Sequence, residues 1–366
     1  SKLRANSILI DKALGSDGSN TILSITNTVD IHSSTGDVTI GSASVRSVSV
    51  SGAISVSGAV TLQATNVSVS ATVSAGAASP RVSIKADALD VNATVRALGG
   101  DISVLPNTGT HAIVMGVATT SPSLVIKSSQ ITRFSATNFR VGDASTAHVY
   151  VNASVDFAAA KVTNLVIRSS GNVLALGSAF IKAANIAVVA GGVIDLGGSN
   201  EIPGNVALSG SSAAGGVSFS SAVSYSAEVV DGVTPVFGVG KAVSLTNSPT
   251  TEQANEFLAV TFNPPPQVQI TDHYNKVLDG NNRNAYTYTL SASVASGSGV
   301  VQGLTSSSRV GGLVTFNALR VNSGVGVYAF TFSAELSSSS TVTVRSVDYN
   351  VMAGEPGALS VSPVVT

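Results

Sequence analysis

Residues 36–69 read GDVTIGSASVRSVSVSGAISVSGAVTLQATNVSV, and this stretch decides the fold class. Apolar residues alternate with serine or threonine in short runs, as in Val48-Ser49-Val50 and Val60-Thr61-Leu62. Glycine, serine, alanine or asparagine separates one run from the next. Because side chains at i and i+2 of a strand lie on the same face, this alternation predicts short β-strands that each bury one face.

The same alternation continues over most of the chain, from about residue 21 to residue 220. Apolar spacing typical of a helix is scarce in this region. The region is therefore predicted to be almost entirely β. Further alternating runs are Val82–Ile84, Leu89–Val91, Ile102–Val104, Leu124–Ile126, Val149–Val151 and Leu165–Ile167.

A repeated turn signature favours a solenoid. Glycine followed by Asp or Asn and then Val or Ile occurs at Gly36, Gly100 and Gly171, which are 64 and 71 residues apart. Each spacing is close to three turns of about 21 to 24 residues, the size expected of a β-solenoid coil. The apolar runs also follow one another too closely for hairpins of ordinary strand length. We predict a parallel β-solenoid, with a many-stranded sandwich as the alternative.

The composition excludes several classes of function. Of the 366 residues, 11% are charged, with 19 basic and 20 acidic side chains, so a polybasic nucleic-acid binder is excluded. Cysteine is absent, which excludes disulfides, thiolate metal sites and a cysteine nucleophile. Glycines interrupt the longest apolar run, residues 186–194, so no membrane-spanning helix is expected. Nucleic acid and membrane-spanning contacts are accordingly not expected among the partners.

One family resemblance concerns the solenoid region. The runs Gly171–Leu176, Ile186–Val188 and Gly191–Leu196 are similar to the repeats of filamentous-haemagglutinin-type adhesins. The resemblance implies that residues 31–220 form a right-handed parallel β-helix, the shaft of a large exported protein. Residues 1–30 are expected either to cap the first coil or to continue the shaft.

The composition changes after residue 220. Prolines appear at 235 and 249, and residues 221–256 are predicted to be a connecting region. The further prolines at 264–266 require an extended segment that cannot lie in a central strand. Longer alternating runs follow, and about seven strands within about 100 residues predict an immunoglobulin-like β-sandwich over residues 257–352. The clearest of these runs are Tyr286–Val294, Leu313–Val321, Tyr328–Ala334 and Thr341–Val351.

A second resemblance concerns this C-terminal region. Phe257–Phe262 and Gln267–Val277 resemble the opening strands of bacterial immunoglobulin-like modules of the filamin or invasin type. Gly311–Leu319 and Gly326–Phe330 resemble their later strands. Residues 353–366 look like a linker or the start of a next module, and the resemblance therefore implies one segment of a tandem array.

Motifs for catalysis are weak throughout the chain. The four histidines show neither the i, i+4 spacing of a helical zinc site nor a His-Glu-x-x-His motif, and we expect ordinary strand or loop residues at His32, His111, His148 and His273. The Gly-x-Ser-x-Gly motif of serine hydrolases is also absent. Gly297-Ser298-Gly299 followed by Gly303 is interpreted as a hairpin turn, since it lacks the remainder of a phosphate-binding loop.

Acidic residues are relevant because parallel β-helices also carry polysaccharide-cleaving sites. Asp87 and Asp90 form the one close acidic pair of the solenoid region, and Asp101 and Asp195 are expected at turns. Cleavage of a glycosidic bond needs two carboxyl groups close in space, and coils could bring distant ones together. The sequence favours a chain that is not an enzyme, and we predict no catalytic, cofactor-binding or metal-binding residues.

Two kinds of surface site remain as alternatives. Asp17–Asn20, and Asp272 with Asn275, could form weak calcium turns, but neither has the calcium-loop pattern and solvated turns are favoured. Three glycosylation sequons begin at Asn66, Asn92 and Asn152, and they are relevant only in a secreted eukaryotic protein.

These observations predict an extracellular, cell-surface segment that forms a stiff β-rod with a structural or adhesive role. The expected partners are neighbouring copies or further domains of the same chain, and a receptor or glycan on a cell surface. The first alternative is a self-assembling filament or surface-layer subunit that uses edges near Phe257–Ile270 or Thr341–Val351. A polysaccharide-binding or polysaccharide-cleaving β-helix is the second alternative.

Overall fold

The computed structural model describes fifteen segments of the chain: residues 7–10, 22–25, 29–31, 36–76, 81–118, 123–211, 216–248, 252–255, 260–261, 264–278, 288–302, 306–309, 313–322, 325–337 and 340–353. The chain divides into two compact units, Ser1–Phe237 and Gly238–Thr366. The division falls within the segment 221–256 that the sequence assigns to a connection.

The first unit consists of short strands, each alternating between inward apolar and outward polar side chains. Its first twelve are β1 (Ser7–Ile10), β2 (Ile22–Ile25), β3 (Val29–Ile31), β4 (Asp37–Gly41), β5 (Ser47–Val50), β6 (Ile54–Val56), β7 (Val60–Gln63), β8 (Asn66–Val69), β9 (Val73–Ala75), β10 (Arg81–Lys85), β11 (Ala88–Val91) and β12 (Val95–Leu105).

The second half of this unit also contains the one helix found among the described residues. Its elements are β13 (Ala112–Gly116), β14 (Ser123–Lys127), α1 (Ser128–Ile131), β15 (Phe134–Val141), β16 (Val149–Val151), β17 (Val155–Asp156), β18 (Lys161–Ser169), β19 (Val173–Ala175), β20 (Ile181–Lys182), β21 (Asn185–Ala190), β22 (Ile194–Asn200), β23 (Val206–Ser209) and β24 (Val217–Ser221).

All strand pairs between described residues of the first unit are parallel, and they form a β-solenoid of about eight turns. The first sheet runs β1-β4-β7-β10-β12-β15-β18-β21-β23, with β3, β6 and β9 joining it at β12. The second sheet runs β2-β5-β8-β11, and the third runs β14-β13-β16-β19-β22-β24. A short fourth sheet pairs β17 with β20. The predicted β-solenoid is confirmed, and the described strands before residue 31 pair as its first coil.

The strand register defines the length of each coil. Val38 pairs with Val60, and Val60 pairs with Val82, so these coils add 22 residues each. Ile102 then pairs with Phe139 across a much longer coil. Strands β13 and β14 pair with each other inside this long coil, and α1 follows them. The extra residues therefore place β14 beside β13 at the end of the third sheet.

The two predicted spacings have different outcomes. The 64 residues from Gly36 to Gly100 do span three coils, since Val38, Val60, Val82 and Ile102 stack in one ladder. The interpretation of the second spacing was wrong. Val173 lies in the third sheet, where it pairs with Val149 and Ile194, so the Gly171 signature does not continue the ladder of Ile102.

The interior of the solenoid is a stack of buried side chains, most of them aliphatic. Val48, Val60 and Leu62 each expose none of their surface. A phenylalanine stack interrupts the aliphatic ladders, with ring centroids 4.7 Å apart for Phe134–Phe139 and 5.3 Å apart for Phe139–Phe157. Each coil buries its apolar face against the next, which is how a solenoid obtains a continuous core.

The second unit is mainly antiparallel. Its strands are β25 (Ala242–Asn247), β26 (Glu252–Asn255), β27 (Val260–Thr261), β28 (Gln267–Thr271), β29 (Tyr288–Ser296), β30 (Val300–Gln302), β31 (Ser306–Arg309), β32 (Leu313–Thr315), β33 (Arg320–Asn322), β34 (Gly326–Ser337), β35 (Ser340–Arg345) and β36 (Tyr349–Ala353).

The described strands of this unit form three sheets. They are β25-β28-β32, β27-β33-β30, and β26-β36-β34-β29-β31 with β35 also paired to β34. Residues of the first and third sheets share one hydrophobic core that includes Ile270, Leu290 and Phe332. The chain is therefore all-β in both units. Two predicted runs are each divided: Leu313–Val321 is broken by a turn at Phe316–Leu319, and Thr341–Val351 is broken after Arg345.

Candidate functional site

A cleft of about 650 Å³ lies on the outer face of the first sheet, and charged side chains line it. We call it the flank cleft. Its charged lining residues are Arg140, Asp143, Arg168 and Asp231, and serine, threonine and valine side chains complete it.

The outward side chains of the first sheet explain why the cleft forms at this place. One outward ladder contains Thr39, Thr61, Ser83 and Ser103 in the early coils, then Arg140, and then Val166, Ala187 and Ala207. Hydroxyl side chains suit a face in contact with water, whereas the apolar end of the ladder requires cover. Along this ladder the outward side chains change from hydroxyl-bearing to apolar at Arg140. The part of the ladder beyond Arg140 therefore needs cover from another segment.

The cover is supplied by residues 222–237, which we call the strap. Val230 packs on Val166, Ala187 and Ala207, and Val233 lies against the same cluster. Val230 and Val233 exchange backbone hydrogen bonds of 3.2 and 2.9 Å and so close a tight turn.

The turn sequence accounts for the shape of the strap. Asp231 and Gly232, between the two valines, have φ values of 50° and 76°. An Asp-Gly pair with two positive φ angles is typical of a type I′ turn, because glycine and, less readily, aspartate tolerate the left-handed region.

Arg140 joins the strap to the solenoid. Its Nε donates to Asp101 Oδ2 at 3.1 Å, and its Nη2 donates to Asp231 Oδ1 at 2.8 Å. Nη1 contacts the other oxygen of Asp231, so the guanidinium binds that carboxylate with two nitrogens. Burial alone would lower the pKa of Arg140, but the hydrogen bonds and charges of Asp231 and Asp101 outweigh it and raise the pKa.

Asp101 also ends a ladder of asparagine side chains. Asn138 Nδ2 donates to Asp101 Oδ1 at 2.8 Å, Asn164 Nδ2 donates to Asn138 Oδ1 at 2.8 Å, and Asn185 Nδ2 donates to Asn164 Oδ1 at 3.0 Å. The backbone N–H of Asn205 then donates to Asn185 Oδ1 at 2.8 Å. Every amide therefore donates toward the carboxylate, and the carboxylate anchors the whole chain of hydrogen bonds.

Asp143 is fixed by its own turn. Its Oδ1 accepts hydrogen bonds from the backbone and hydroxyl groups of Ser145 (2.9 and 2.6 Å) and of Thr146 (3.1 and 3.2 Å). Partial burial alone would raise the pKa of Asp143, but these four hydrogen bonds together lower it.

The chemistry of the flank cleft follows from these contacts. Asp101 and Asp231 neutralise one arginine, and Asp143 is held by hydroxyl and backbone groups. These contacts hold the strap against the solenoid.

The acidic pair predicted from the sequence does not act as a pair. Asp87 accepts hydrogen bonds from the backbone and hydroxyl groups of Thr108, both at 2.8 Å, and contacts His111. Asp90 binds the side chains of Asn92, Lys127 and Gln130. Asp101 and Asp195 lie within β12 and β22, so their predicted placement at turns was wrong.

No described histidine is among the residues that line the flank cleft. His148 Nδ1 accepts a 3.0 Å hydrogen bond from the backbone of Asn172 on the next coil. His273 is exposed, with its ring 5.8 Å from that of Tyr274. His32 lies outside the residues described with side chains, as do Asp17–Asn20 and Gly303.

Asp272 forms a tight turn in the second unit. It is fully buried, and its Oδ1 accepts hydrogen bonds from the backbone of Tyr274 at 2.8 Å and Lys276 at 3.0 Å. Oδ2 accepts one from Gly238 at 3.0 Å, and Asn275 adopts a positive φ. Backbone N–H groups thus surround the carboxylate that was considered for calcium.

The three sequon asparagines all donate hydrogen bonds. Asn66 Nδ2 donates to the carbonyl oxygen of Arg46 at 3.2 Å, and Asn152 Nδ2 donates to that of Val117 at 3.0 Å. Asn92 donates to Asp90. Asn66 and Asn92 are exposed, whereas Asn152 is half-buried.

The sequence analysis missed the strap and its link to Arg140. Within the described part of the chain, no group of three or more His, Asp or Glu side chains is placed to hold a metal ion. No described helix is long and apolar enough to cross a lipid bilayer. The chain matches no protein-family model, and no curated protein is similar to it in sequence.

Proposed function

We propose that this chain is a non-enzymatic segment of a large extracellular, cell-surface protein, in which a right-handed solenoid is a stiff rod that presents or spaces binding modules. The observation that carries the proposal is the parallel pairing of successive coils from β4 to β24, with buried apolar side chains stacked inside them. Such an architecture supplies length and stiffness from a repeated sequence.

The spacing of the coils sets the length of the rod. Neighbouring strands lie about 4.8 Å apart, so about eight turns form a rod of roughly 40 Å. Backbone hydrogen bonds between coils run along the axis of the rod. Stretching the rod therefore loads many hydrogen bonds and the apolar ladders together.

For the second unit we propose an immunoglobulin-like module. Two facing antiparallel sheets with one shared core support it, as does the close ring pair Phe330–Tyr349, with centroids 5.5 Å apart. Strand β26 pairs in parallel with the last strand, β36, and so ties the start of the unit to its end. Such a module would extend the rod or present loops to a receptor or glycan on a cell surface.

A self-assembling filament or surface layer is the second candidate. Strand β35 pairs only with β34 among the described residues, which leaves an edge for another chain. In the other predicted edge, β28 has neighbours on both sides, whereas β27 pairs only with β33 among the described residues. Edge pairing through β35 or β27 therefore supports this candidate, and pairing through Gln267–Thr271 does not.

Imaging of the purified full chain by negative-stain electron microscopy, together with binding to cultured cells and glycan arrays, tests the proposal. We expect single short rods that bind a cell-surface component. Filaments or sheets would favour the second candidate. Release of reducing ends or unsaturated sugars from a polysaccharide panel would contradict a non-enzymatic role and support the polysaccharide-cleaving alternative.

A further inference from the structure

We propose that the strap, residues 222–237, is a force-sensitive fastening that detaches from the solenoid before any coil or the second unit unfolds. The proposal rests on the proposed function, because a rod that links a cell surface to a partner carries tension. It adds a mechanical response to the segment that covers the apolar end of the outward ladder.

The position of the strap in the chain supports this role. The first unit ends at Phe237 and the second begins at Gly238. Tension applied through the second unit therefore enters the first unit at the C-terminal end of the strap. The contacts nearest to Phe237 receive the load first.

The contacts of the strap follow one another along the chain. Phe237 lies edge-on to Phe219, with ring centroids 6.5 Å apart, and Val236 N–H donates to the Leu208 carbonyl at 3.1 Å. The turn that carries Asp231 comes next, bound to Arg140.

The last attachments lie at the beginning of the strap. Ser226 O accepts a 2.7 Å hydrogen bond from Val206 N–H, and Ser226 N–H donates to Gly204 O at 3.0 Å. Tyr225 packs edge-on against Phe219, with centroids 5.3 Å apart. A pull from Phe237 thus breaks these contacts in sequence.

Neighbouring coils are joined differently. Strands β18 and β21 pair through six consecutive residues, Asn164–Ser169 with Asn185–Ala190, and the same coils are also paired in the third sheet. Their hydrogen bonds share a load, whereas those of the strap are loaded one after another. Release of the strap is therefore expected at the lower force, as local opening is easiest where fewest contacts act together.

Arg140 and Asp231 set the resistance of the strap. Their double contact lies halfway along it, and the two side chains expose 33% and 14% of their surface. Hydrogen bonds between charged groups are among the stronger ones, but partial exposure weakens them. We expect loss of the pair to speed release of the strap about five- to tenfold at constant force.

Single-molecule force spectroscopy on the full chain, held at its two ends, is the test. Complete release frees sixteen residues and lengthens the chain by at most about 55 Å, whereas the second unit would add more than about 400 Å. In Asp231→Asn, asparagine still tolerates the turn but lacks the charge. Arg140→Ala removes the partner, and Arg168→Ala is the control, since Arg168 is exposed on the same cleft.

A disulfide crosslink tests whether the first extension step is the release of the strap. Asn205 and Ser226 are bridge partners, and the chain has no cysteine, so Asn205→Cys with Ser226→Cys gives a single possible disulfide. Oxidation should shorten the first step to at most about 40 Å, because only residues 227–237 can then detach. Reduction should restore the full step.

Two results would overturn the proposal. One is the absence of a strap-sized step before the larger unfolding events. The other is a first step that has the same rate in Asp231→Asn, Arg140→Ala and Arg168→Ala, or a first step that the crosslink does not shorten. Neither result bears on whether the chain forms rods that bind cells, which imaging and binding assays decide separately.

Discussion

Replacement of Asn164 by alanine tests the asparagine ladder. The half-buried Asn164 side chain donates to Asn138 at 2.8 Å and accepts from Asn185 at 3.0 Å, so the change removes two hydrogen bonds. Each contributes about 0.5 to 1.5 kcal/mol net, which gives a local loss of about 1 to 3 kcal/mol. We expect amides of β18 and β21 to exchange hydrogen about five- to a hundredfold faster.

The Asn164→Asp variant makes the same prediction sharper. Its carboxylate accepts hydrogen bonds only, and it would face the Oδ1 of Asn138. Turning the Asn138 amide over would then point its oxygen at Asp101, because the ladder ends in a carboxylate. The nearly isosteric Asp variant should therefore be less stable than the Ala variant.

Hydrogen-exchange mass spectrometry of the full chain is the assay, since it reports each coil separately and needs no two-state assumption. Asn92→Ala is the control, because Asn92 is exposed and binds one side chain, Asp90. Exchange of residues 161–190 in Asn164→Ala within twofold of that control would refute the reasoning. An Asp variant as stable as wild type would refute the stated direction of the ladder.

Three further substitutions test the buried core of the solenoid, the turn with a positive φ at Gly41, and the loss of stability at low pH. Leu62→Ala, at a fully buried position, should cost about 2 to 5 kcal/mol and lower the urea midpoint of the solenoid, followed by circular dichroism. Gly41→Ala should prevent normal folding and reduce soluble yield, because φ is 83° and the new methyl group would overlap the Gln63 carbonyl. Asp143 has a lowered pKa, so the stability that its carboxylate adds is present above its unfolded pKa, near 3.8. This stability is lost as the pH falls through the lower folded pKa. Asp143→Asn should therefore lack this pH-dependent part of the stability in acid titrations.

Each of these changes has its own comparison. Leu98→Ala, at a 54% exposed position, should change the urea midpoint little, and an equal effect would contradict the buried core. Gly99 also has a positive φ but open space around it, so Gly99→Ala should fold with a smaller loss than Gly41→Ala. Superimposable acid-unfolding curves for wild type and Asp143→Asn would contradict the role of that turn.

Local patterns predicted the strands and the inward faces of the solenoid. Alternation placed Val48 and Leu62 inside, and both are fully buried. These features follow from the geometry of a single strand, in which every second side chain shares a face. Coil length could be predicted only where it is constant. Strands β13 and β14 lengthen one coil, so the spacing from Gly100 did not correctly predict the sheet in which the Gly171 signature lies.

The candidate site was less accessible from the sequence. Arg140 contacts Asp231, which is 91 residues away, and no local signal connects the two. An Asp-Gly pair between Val230 and Val233 is a recognisable turn signal, and it could have predicted the turn, though not the surface on which it packs. The asparagines of the ladder align only after the register of four coils is known.

By itself, the amino-acid sequence determined that this chain is all-β and that its first two-thirds stacks short strands in parallel, because alternation and turn residues act over a few positions. Tertiary structure alone decided which side chains meet across coils. It aligned Asn138 with Asn164, and it placed the strap against Arg140 on the outer face of the first sheet. Such contacts depend on the number of residues in each coil and on where a later segment folds back, and neither quantity is encoded in any single strand.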